Sequence, residues 1–423
     1  MFACASPGKL RSAVVVAFAV AAGGPMNGLA QEPYFPPPGD EWETREPGEV
    51  GMDAGLLDEA VSFAIESETE ASRDLEFNHH ATFGRNEPLG DPVGAFKERG
   101  EPTGVVVRNG YIVAEWGEPH RVDQTFSVTK SFLSATVGLA FDEGRVADVD
   151  EPVGPSMAPV LPLAPECVHE PTMEARPFPS GPQVFEPFAS EHNRRITWDH
   201  LLRQTSDWEG TLWCKPDWAD RPSDDSRQWL DRERHEPGTV YEYNDVRVNL
   251  LALAALNAWR RPLPEVLREH LMVPIGASDT WRWLGYENSW VVLDGRKVES
   301  VSGGAHWGGG MFINAHDMAR FGYLTLREGR WNDRQILSSE WMEKARTPGE
   351  VNPGYGHMNF FLNTGREAVP AAPEEAYFHA GAGVNIVYVD PVHDLVVVVR
   401  WIDGGSRNEF LAKVLEAVRD REG

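Results

Sequence analysis

Runs of β-branched and other apolar residues predict β-strands towards both ends of the chain. Gly104–Arg108 and Tyr111–Trp116 are two β-branched runs separated by Asn109-Gly110, the dipeptide most typical of a tight hairpin. The runs Val384–Val389 and Leu395–Arg400 flank a short turn and predict a second antiparallel pair. The pattern therefore places sheet structure at both ends.

Helical periodicity occupies the segments between and beside these strands. Residues 151–190 contain ten prolines and predict an irregular excursion. The helical patterns are Ala54–Ile65, Phe126–Glu143 (ending before Gly144), most of residues 197–272, Ala315–Arg327 and Asn408–Arg421.

These elements predict an α/β protein of the α+β type, in which helices flank one antiparallel sheet and a mostly helical lobe is inserted. We expect a signal peptide at 1–30, an N-terminal extension packing on the core at 31–100, and one folded domain at 101–423. Within that domain, residues 101–150 and 300–423 form the sheet part, and residues 151–299 form the helical lobe with its Pro-rich excursion.

The N-terminus has the features of a secretory signal. Lys9 and Arg11 precede the apolar run Ala13–Ala22, which is too short to cross a bilayer as a helix. Small residues follow at 28–30, so cleavage is predicted between Ala30 and Gln31. We expect a periplasmic or secreted protein without stable membrane insertion; the alternative is an uncleaved anchor or a buried helix.

Charge narrows the classes of partner. The 423 residues include 39 Lys+Arg and 65 Asp+Glu, for a net charge of −26. This charge argues against nucleic acid or an anionic membrane as the main partner. Hydrophobic residues at 41% and charged residues at 25% are typical of a globular protein and exclude whole-chain disorder.

Export changes how the cysteines of the chain are interpreted. Removing the signal peptide leaves Cys167 and Cys214, which predict a disulfide in an oxidising compartment; the alternative is two separately buried thiols. The chain has no HExxH or CxxC motif, and its 13 histidines are scattered. We therefore expect no metal and no organic cofactor.

The candidate chemistry begins at Ser127-Val-Thr-Lys130. Residues at i and i+3 share a helix face, so the amine can reach the hydroxyl. A helix N-terminus favours a developing anion, and a desolvated lysine can activate serine. Ser6 and Lys9 have the same spacing inside the signal peptide. The pair alone is therefore also compatible with an ordinary helix start.

Two further segments strengthen the hypothesis. Tyr243 lies in a Tyr-Asn-Asp sequence that precedes a helical pattern, and a phenol near an ammonium group loses its proton more readily. The segment 378–383 reads Phe-His-Ala-Gly-Ala-Gly. Its glycines allow a strand edge to approach a substrate carbonyl, where a backbone N–H can form half of an oxyanion hole.

In this order, the three segments resemble the S-x-x-K, Y-x-N and K/H-x-G motifs of the serine β-lactamase and penicillin-binding-protein-like superfamily. The similarity is to its class C-like branch of esterases, D-amino-acid peptidases and 6-aminohexanoate-oligomer hydrolases. Segments 144–153, 196–206 and 309–322 also resemble the family. The resemblance covers roughly residues 100–420 and implies a β-lactamase/transpeptidase-like fold.

The resemblance implies a role for each motif residue. Ser127 would be the nucleophile, Lys130 its activating partner, and Tyr243 the general base that later protonates the leaving group. The backbone N–H groups of Ser127 and Ala382 would hold the oxyanion, and His379 would line the acyl side. The implied reaction is acyl transfer through a Ser127 ester, which water then hydrolyses.

Asp245 departs from the family pattern, which usually has asparagine there. An ionised carboxylate would favour the charged form of Lys130 and so increase the importance of Tyr243 as base. We hypothesise that Asp245 selects substrates that present an N–H or ammonium group. The alternative is a buried structural partner of Arg247 or Lys130.

Three other residues concern substrate choice. His379 replaces the lysine of true β-lactamases, which favours esterase or amidase activity over antibiotic hydrolysis because histidine is mostly neutral at pH 7. Gly381 would contact substrate through the strand edge. Trp208 is a candidate apolar wall for the substrate, although clustered tryptophans more often pack in a core.

Other readings remain beside a small-ester or small-amide hydrolase. Within the same fold, a D-amino-acid peptidase or a true β-lactamase is possible, and a non-catalytic cell-wall or peptide-binding relative is a different class. The simultaneous presence of Ser127, Lys130 and Tyr243 argues against that last reading. An α/β-hydrolase is rejected, because Gly154–Ala158 lacks the G-x-S-x-G elbow and a preceding strand. Oligomeric state and physiological substrate are not predicted.

Overall fold

The computed structural model describes residues 33–39, 41–163, 184–222 and 232–419. The predicted signal peptide at 1–30 and Cys167 lie outside these residues, so export and the cleavage before Gln31 stay predictions. The unit described below begins at Tyr34.

Ten α-helices lie within the described residues. They are α1 (Ala54–Glu66), α2 (Leu75–Ala81), α3 (Phe83–Asn86), α4 (Thr129–Asp142), α5 (Trp198–Leu202), α6 (Asp245–Trp259), α7 (Leu263–Leu267), α8 (Ala315–Leu326), α9 (Ser339–Arg346) and α10 (Arg407–Glu416).

Fifteen strands accompany these helices in the same part of the chain. They are β1 (Thr103–Arg108), β2 (Tyr111–Trp116), β3 (Asp123–Gln124), β4 (Leu161–Pro162), β5 (Thr211–Leu212), β6 (Lys215–Pro216), β7 (Arg282–Leu293), β8 (Arg296–Val301), β9 (Gly310–Ile313), β10 (Arg330–Trp331), β11 (Arg334–Gln335), β12 (Phe361–Leu362), β13 (Tyr377–Gly381), β14 (Asn385–Asp390) and β15 (Leu395–Arg400).

The main sheet is antiparallel and joins the two ends of the described chain. Its strand order is β12-β13-β14-β15-β1-β2, and Val106 of β1 lies opposite Val397 of β15. The β1–β2 hairpin is confirmed: Asn109 has φ 53° and Gly110 has φ 88°, the left-handed conformations that a two-residue turn requires. Both C-terminal strands are confirmed within one residue.

Alternate side chains of this sheet enter two hydrophobic cores. One face, which includes Val105 and Val396, packs in the core that also contains α4 and α8. The opposite face, which includes Val106 and Val397, packs with α1 and α10. Period-two burial on both faces explains why the central strands are continuous runs of valine.

The helical predictions around these cores are largely confirmed. The predicted helix Phe126–Glu143 is a 3₁₀ turn over Phe126–Val128 that continues directly into α4. Helix α10 ends before the predicted Arg421, because Ala417 O accepts the backbone N–H of Asp53 and the next residue forms a β-bridge. Pairing of residues 417–418 with residues 52–53 replaces the next helical hydrogen bonds.

The inserted lobe differs from the prediction of a mostly helical structure. A second sheet of five strands, with order β3-β9-β7-β4 and with β8 paired to β7, includes residues 282–301. The β7–β8 turn is Asp294-Gly295, with φ values of 49° and 76°. This Asp-Gly between β-branched runs was a hairpin signal in the sequence, in a segment for which no element was predicted.

Residues 203–222 and 232–244 contain no helix, so α5 is shorter than the helical pattern of residues 197–206 predicted. Polar side chains there bind the loop backbone instead of a helical ladder. No α-helix within the described ranges is long and apolar enough to cross a membrane.

Candidate active site

Ser127 and Lys130 are brought together by the start of α4. The Nζ atom of Lys130 donates a hydrogen bond to Ser127 Oγ at 2.9 Å. Ser127 is partly exposed in the preceding 3₁₀ turn, whereas Lys130 has no exposed surface. Phe126 has φ 47°, a conformation that non-glycine residues rarely adopt. The backbone therefore turns sharply just before Ser127, where the chain enters the helix.

Asp245 is the main charge partner of Lys130. Its Oδ1 accepts a hydrogen bond from Lys130 Nζ at 2.6 Å, and its Oδ2 lies 3.2 Å from Arg221 Nη1. Burial alone would lower the pKa of Lys130, but Asp245 and Tyr243 outweigh burial and raise that pKa above its ordinary value. The two cations in turn overcome burial and hold the pKa of Asp245 below its usual range.

Lys130 is therefore protonated at neutral pH, the direction expected from the aspartate in this motif. Two interpretations of Asp245 were open. Its contacts are those of a buried partner of Lys130, whereas Arg247 binds Asp207. Selection of amine-bearing substrates by Asp245 stays a prediction.

Tyr243 completes the cluster. Lys130 Nζ lies 4.7 Å from the centroid of the Tyr243 ring. Tyr243 comes just before α6, whose N-cap Asn244 accepts hydrogen bonds from the backbone N–H groups of Val246 and Arg247. The Asn244 amide also donates to Asp217 O at 2.6 Å. This cap fixes the chain entering the helix, and with it the position of the phenol.

The end of β13 packs against the backbone of Ser127. A Cβ atom on Gly381 would come 2.2 Å from Thr125 O and 3.1 Å from Ser127 N, so only glycine permits this approach. Ala382 follows directly and is exposed. The structure thus brings Gly381 next to Ser127 N, while the oxyanion role of the Ser127 and Ala382 N–H groups stays a prediction.

His379 lies on β13 but has no exposed surface. Its ring packs against Phe321, Phe360 and Tyr377, and Nδ1 lies 3.2 Å from Asn359 O. Burial lowers the pKa of His379 to about 3. The ring is therefore neutral and enclosed, and its predicted contact with the acyl group stays untested.

We expect His379→Leu to reduce the acid sensitivity of folding. Unfolded histidine takes up a proton below about pH 6.5, whereas folded His379 stays neutral down to about pH 3, so wild-type stability falls as pH decreases between these values. At pH 4.5 the variant should avoid roughly 2 kcal/mol of this loss.

Urea unfolding at pH 7 and pH 4.5 measures this effect. Neutral-ester kcat/KM should stay within about threefold of wild type, because the ring only packs. A tenfold loss of kcat/KM with unchanged stability would instead support the substrate contact predicted for His379.

Two other predicted features lie in the inserted lobe. Trp208 is 1% exposed and donates from Nε1 to Pro187 O at 2.7 Å. These contacts are those of a packing residue, so substrate contact by Trp208 stays a prediction. Cys214 is disulfide-bonded. Its partner lies outside the described residues, and the pairing with Cys167 remains to be tested by intact mass before and after reduction.

Sequence reasoning missed a charged network behind Asp245. Arg221 contacts Asp220, and its Cζ lies 5.2 Å from the Tyr243 ring centroid. Arg221 Nη2 lies 3.3 Å from His306 Nδ1, and His306 Nε2 lies 2.7 Å from a Glu87 oxygen. The site therefore has a second cation beside the phenol, held by groups from three loops.

Part of this network has the composition of a metal site. Among the described residues, ligand atoms of Glu87, Asp220 and His306 lie within 4.8 Å of one another. Asp220 also accepts the backbone N–H of Asp245, and Glu87 accepts the backbone N–H of Arg221 at 3.1 Å. These hydrogen bonds and the Arg221 guanidinium already supply hydrogen-bond and charge partners to the carboxylates of Glu87 and Asp220.

Gly304 was also missed. A Cβ atom there would lie 1.5 Å from Asp245 Oδ1 and 2.4 Å from Lys130 Nζ. The Gly304 backbone therefore packs directly against the Lys130–Asp245 pair. The Gly-Gly-Ala-His segment at 303–306 was the only sequence signal of this close approach.

We expect Gly304→Ala to separate that pair and to lower kcat/KM on the order of 100-fold, the cost of a displacement of about 1 Å in a catalytic group. Gly48→Ala is the matched control, because a Cβ at Gly48 meets nothing within 4 Å. Steady-state kinetics with circular dichroism checks the prediction. Equal activity of the two variants would contradict it.

A protein from Escherichia coli O157:H7 named "Putative D-alanyl-D-alanine carboxypeptidase" is 22% identical over 198 residues, covering 39% of this chain. The match spans 45% of that relative, less than half of its length.

Two solved structures share the fold. "Crystal structure of putative beta-lactamase from Bacteroides dorei DSM 17855" has a TM-score of 0.54 at 14% identity, covering 86% of this chain and 99% of that one. "EstCE1, a hydrolase with promiscuous acyltransferase activity" has a TM-score of 0.51 at 15% identity, with the same two coverages.

The family model described as Beta-lactamase matches residues 97–413. This range includes Ser127, Lys130, Tyr243 and the end of β13, and it covers well over half of the sequence. The chain therefore belongs to the beta-lactamase family of serine hydrolases.

Proposed function

We propose that this chain is an exported serine hydrolase that cleaves a small ester or amide through an acyl-enzyme on Ser127. The observation that carries the proposal is one cluster: Lys130 Nζ lies 2.9 Å from Ser127 Oγ and 4.7 Å from the Tyr243 ring centroid. Export is supported by the N-terminal sequence alone.

The charge state of the cluster assigns the proton transfers. Cationic Lys130 cannot accept a proton, so Tyr243 is the general base that takes the proton of Ser127 as Oγ attacks the carbonyl carbon. Lys130 and Arg221 place two positive charges beside the Tyr243 ring. The tetrahedral oxyanion forms beside the N–H groups of Ser127 and Ala382.

The remaining steps follow by reversal of the same transfers. The bond to the leaving group breaks, and Tyr243 returns its proton to the departing oxygen or nitrogen. Water then loses a proton to Tyr243 and attacks the Ser127 ester. When the second intermediate collapses, the bond between Ser127 Oγ and the acyl carbon breaks, Tyr243 returns its proton to Oγ, and the acid is released. Lys130 stays protonated throughout and orients Ser127 Oγ.

The substrate ranking rests on the interior of the site. His379 is buried and neutral, so it supplies no fixed cation for a substrate carboxylate. We therefore propose neutral esters and amides ahead of β-lactam antibiotics, with D-amino-acid peptides as the alternative within the fold. Rapid turnover of a p-nitrophenyl ester beside poor turnover of a chromogenic cephalosporin would agree with this ranking; the reverse order would contradict it.

Intact-mass spectrometry tests the reaction class. The protein starting at Gln31 is incubated with a fluorophosphonate and, separately, with a panel of esters, amides, D-alanyl-D-alanine and β-lactams. We expect one covalent adduct, absent in Ser127→Ala and retained in Ser62→Ala, an exposed serine on α1. Labelling that persists in Ser127→Ala, or no adduct in wild type, would contradict the proposal.

A further inference from the structure

A cavity of about 210 Å³ lies beside the nucleophile turn. Its wall is formed on one side by Phe126, Ala382 and Val384 and on the other by Leu75 and Phe83 of the N-terminal extension, with Trp401 also lining it. These are mostly apolar side chains. The cavity is separate from the charged network described above.

The cavity adjoins Ser127 through the chain. Two of its lining residues, Phe126 and Ala382, are the sequence neighbours of Ser127 and Gly381, and Gly381 packs against Ser127 N. This adjacency is the basis for placing in the cavity one substituent of a carbonyl that is held by the N–H groups of Ser127 and Ala382.

The cavity wall offers no unpaired charge. Arg99 lines it, but its guanidinium binds Glu68 at 2.8 Å and the Ala71 carbonyl at 2.7 Å. His79 binds Gly90 O through Nε2, and burial lowers the pKa of His79, so this ring is neutral at pH 7. The Arg99 Nε atom is buried without a hydrogen-bond partner, but Glu68 already compensates the guanidinium charge, so a charged substituent would lose more hydration there than it regains.

Phe83 separates this cavity from the catalytic charges. Its ring lies 5.2 Å from Arg221 Cζ and 4.9 Å, centroid to centroid, from the His306 ring. One face of Phe83 thus borders the charged network while the residue also lines the cavity. An apolar group in the cavity would complete the exclusion of water from that side of the site.

We propose that this cavity binds an uncharged apolar substituent of the scissile carbonyl, about the size of a benzyl or hexyl group, and so sets the substrate class of the enzyme. The inference rests on the proposed Ser127 hydrolase function. Its size estimate follows from volume, since apolar cavities of about 150 Å³ hold benzene and this one measures about 210 Å³.

Nearly half of the cavity wall comes from outside the family-matched region. Seven of its fifteen lining residues lie between residues 69 and 83, whereas the match begins at residue 97. The nucleophile and its partners lie within the match. Substrate size is therefore selected by a segment that the family model does not describe.

Two ester series locate the substituent. One series varies the acyl group from acetyl to dodecanoyl, plus phenylacetyl, with p-nitrophenol as the leaving group. The other varies the alcohol from ethyl to hexyl and benzyl, with acetate as the acyl group and proton release as the signal. We expect kcat/KM in one series to reach a maximum near six carbons or benzyl; that series identifies the acyl or the alcohol side.

Matched variants test the wall. Ala71→Leu narrows the cavity and should lower kcat/KM roughly tenfold for the preferred substituent, and less than twofold for the smallest one. Ala81→Leu, an exposed alanine that does not line the cavity, is its control. Leu75→Ala widens the cavity and should move the maximum to longer substituents, with the partly buried Leu56→Ala as its control.

Three outcomes separate the hypotheses. A flat profile in both series, or the same profile in wild type and all four variants, would overturn the cavity proposal while Ser127 acylation stands. A uniform loss for every substrate in Ala71→Leu and Leu75→Ala, with lowered melting temperatures, would also overturn it, because only folding would have changed. No turnover and no adduct in wild type would contradict the hydrolase function itself.

Discussion

Tyr243→Phe is expected to lower kcat/KM for a neutral ester by about 10³-fold, within the range of general acid–base catalysis. The change removes one oxygen and keeps the ring. The expected loss is large because Asp245 raises the pKa of Lys130, which leaves Tyr243 as the proposed proton acceptor. Stability should change little, since Tyr243 is only partly buried.

Tyr241→Phe is the matched control. Tyr241 is two residues away, and burial raises its pKa further above the ordinary value, so it is not a base at neutral pH. Its variant should keep kcat/KM within about threefold. Steady-state kinetics between pH 5 and pH 10 measures both. A Tyr243→Phe enzyme with wild-type activity and the same pH profile would remove Tyr243 from the mechanism and return the role of base to Lys130.

Lys130→Met is expected to lower kcat/KM by about 10³-fold and to reduce the free energy of unfolding by about 3 kcal/mol. The variant leaves the buried Asp245 carboxylate with Arg221 as its remaining cation, and breaking one side of a buried ion pair costs several kcal/mol. Loss of the ammonium also removes the donor that orients Ser127 Oγ. Urea unfolding at pH 7 and ester kinetics give the two quantities.

The double variant Lys130→Met, Asp245→Asn separates these effects. Neutralising the carboxylate should restore most of the stability at pH 7, because no unpaired buried charge remains, while activity stays low. Recovery of activity in the double variant, or no loss of stability in the single one, would contradict the assigned role of the pair.

The pair also predicts a dependence of stability on pH. The lowered pKa of Asp245 means that its stabilising contribution is present above about pH 3.9, the unfolded value, and is lost as pH falls through the lower folded value. The raised pKa of Lys130 means that its contribution is present below about pH 10.4 and is lost at higher pH. The stability gap between wild type and the Lys130→Met variant should therefore be greatest between these limits.

Local spacing was sufficient to predict the contact between Ser127 and Lys130. Ser127 and Lys130 are three residues apart on one helix, so their contact follows from helix geometry. The Asn109-Gly110 hairpin was equally readable, because two left-handed residues specify the turn. The position of Tyr243 relative to both came from the resemblance of ordered motifs rather than from spacing.

Long-range packing explains what the sequence did not reveal. Arg221 reaches Glu87 and His306 across separations of 134 and 85 residues, and no local pattern marks such contacts. The burial of His379 depends on Phe321 and Phe360 from distant elements. The helical patterns of the inserted lobe ended near residue 272, so the pairing of β7 with β8 across the Asp294-Gly295 turn, and of β7 with β9, was not predicted.

The charged network behind the nucleophile has a consequence for enzymology. Asp245 touches Lys130 and Arg221, and Arg221 touches Asp220 and His306, so each proton gained or lost changes the energy of the next. Groups coupled in this way titrate collectively. The midpoints of a pH–rate curve would then describe the whole assembly, and a substitution at a residue that never meets substrate would move them.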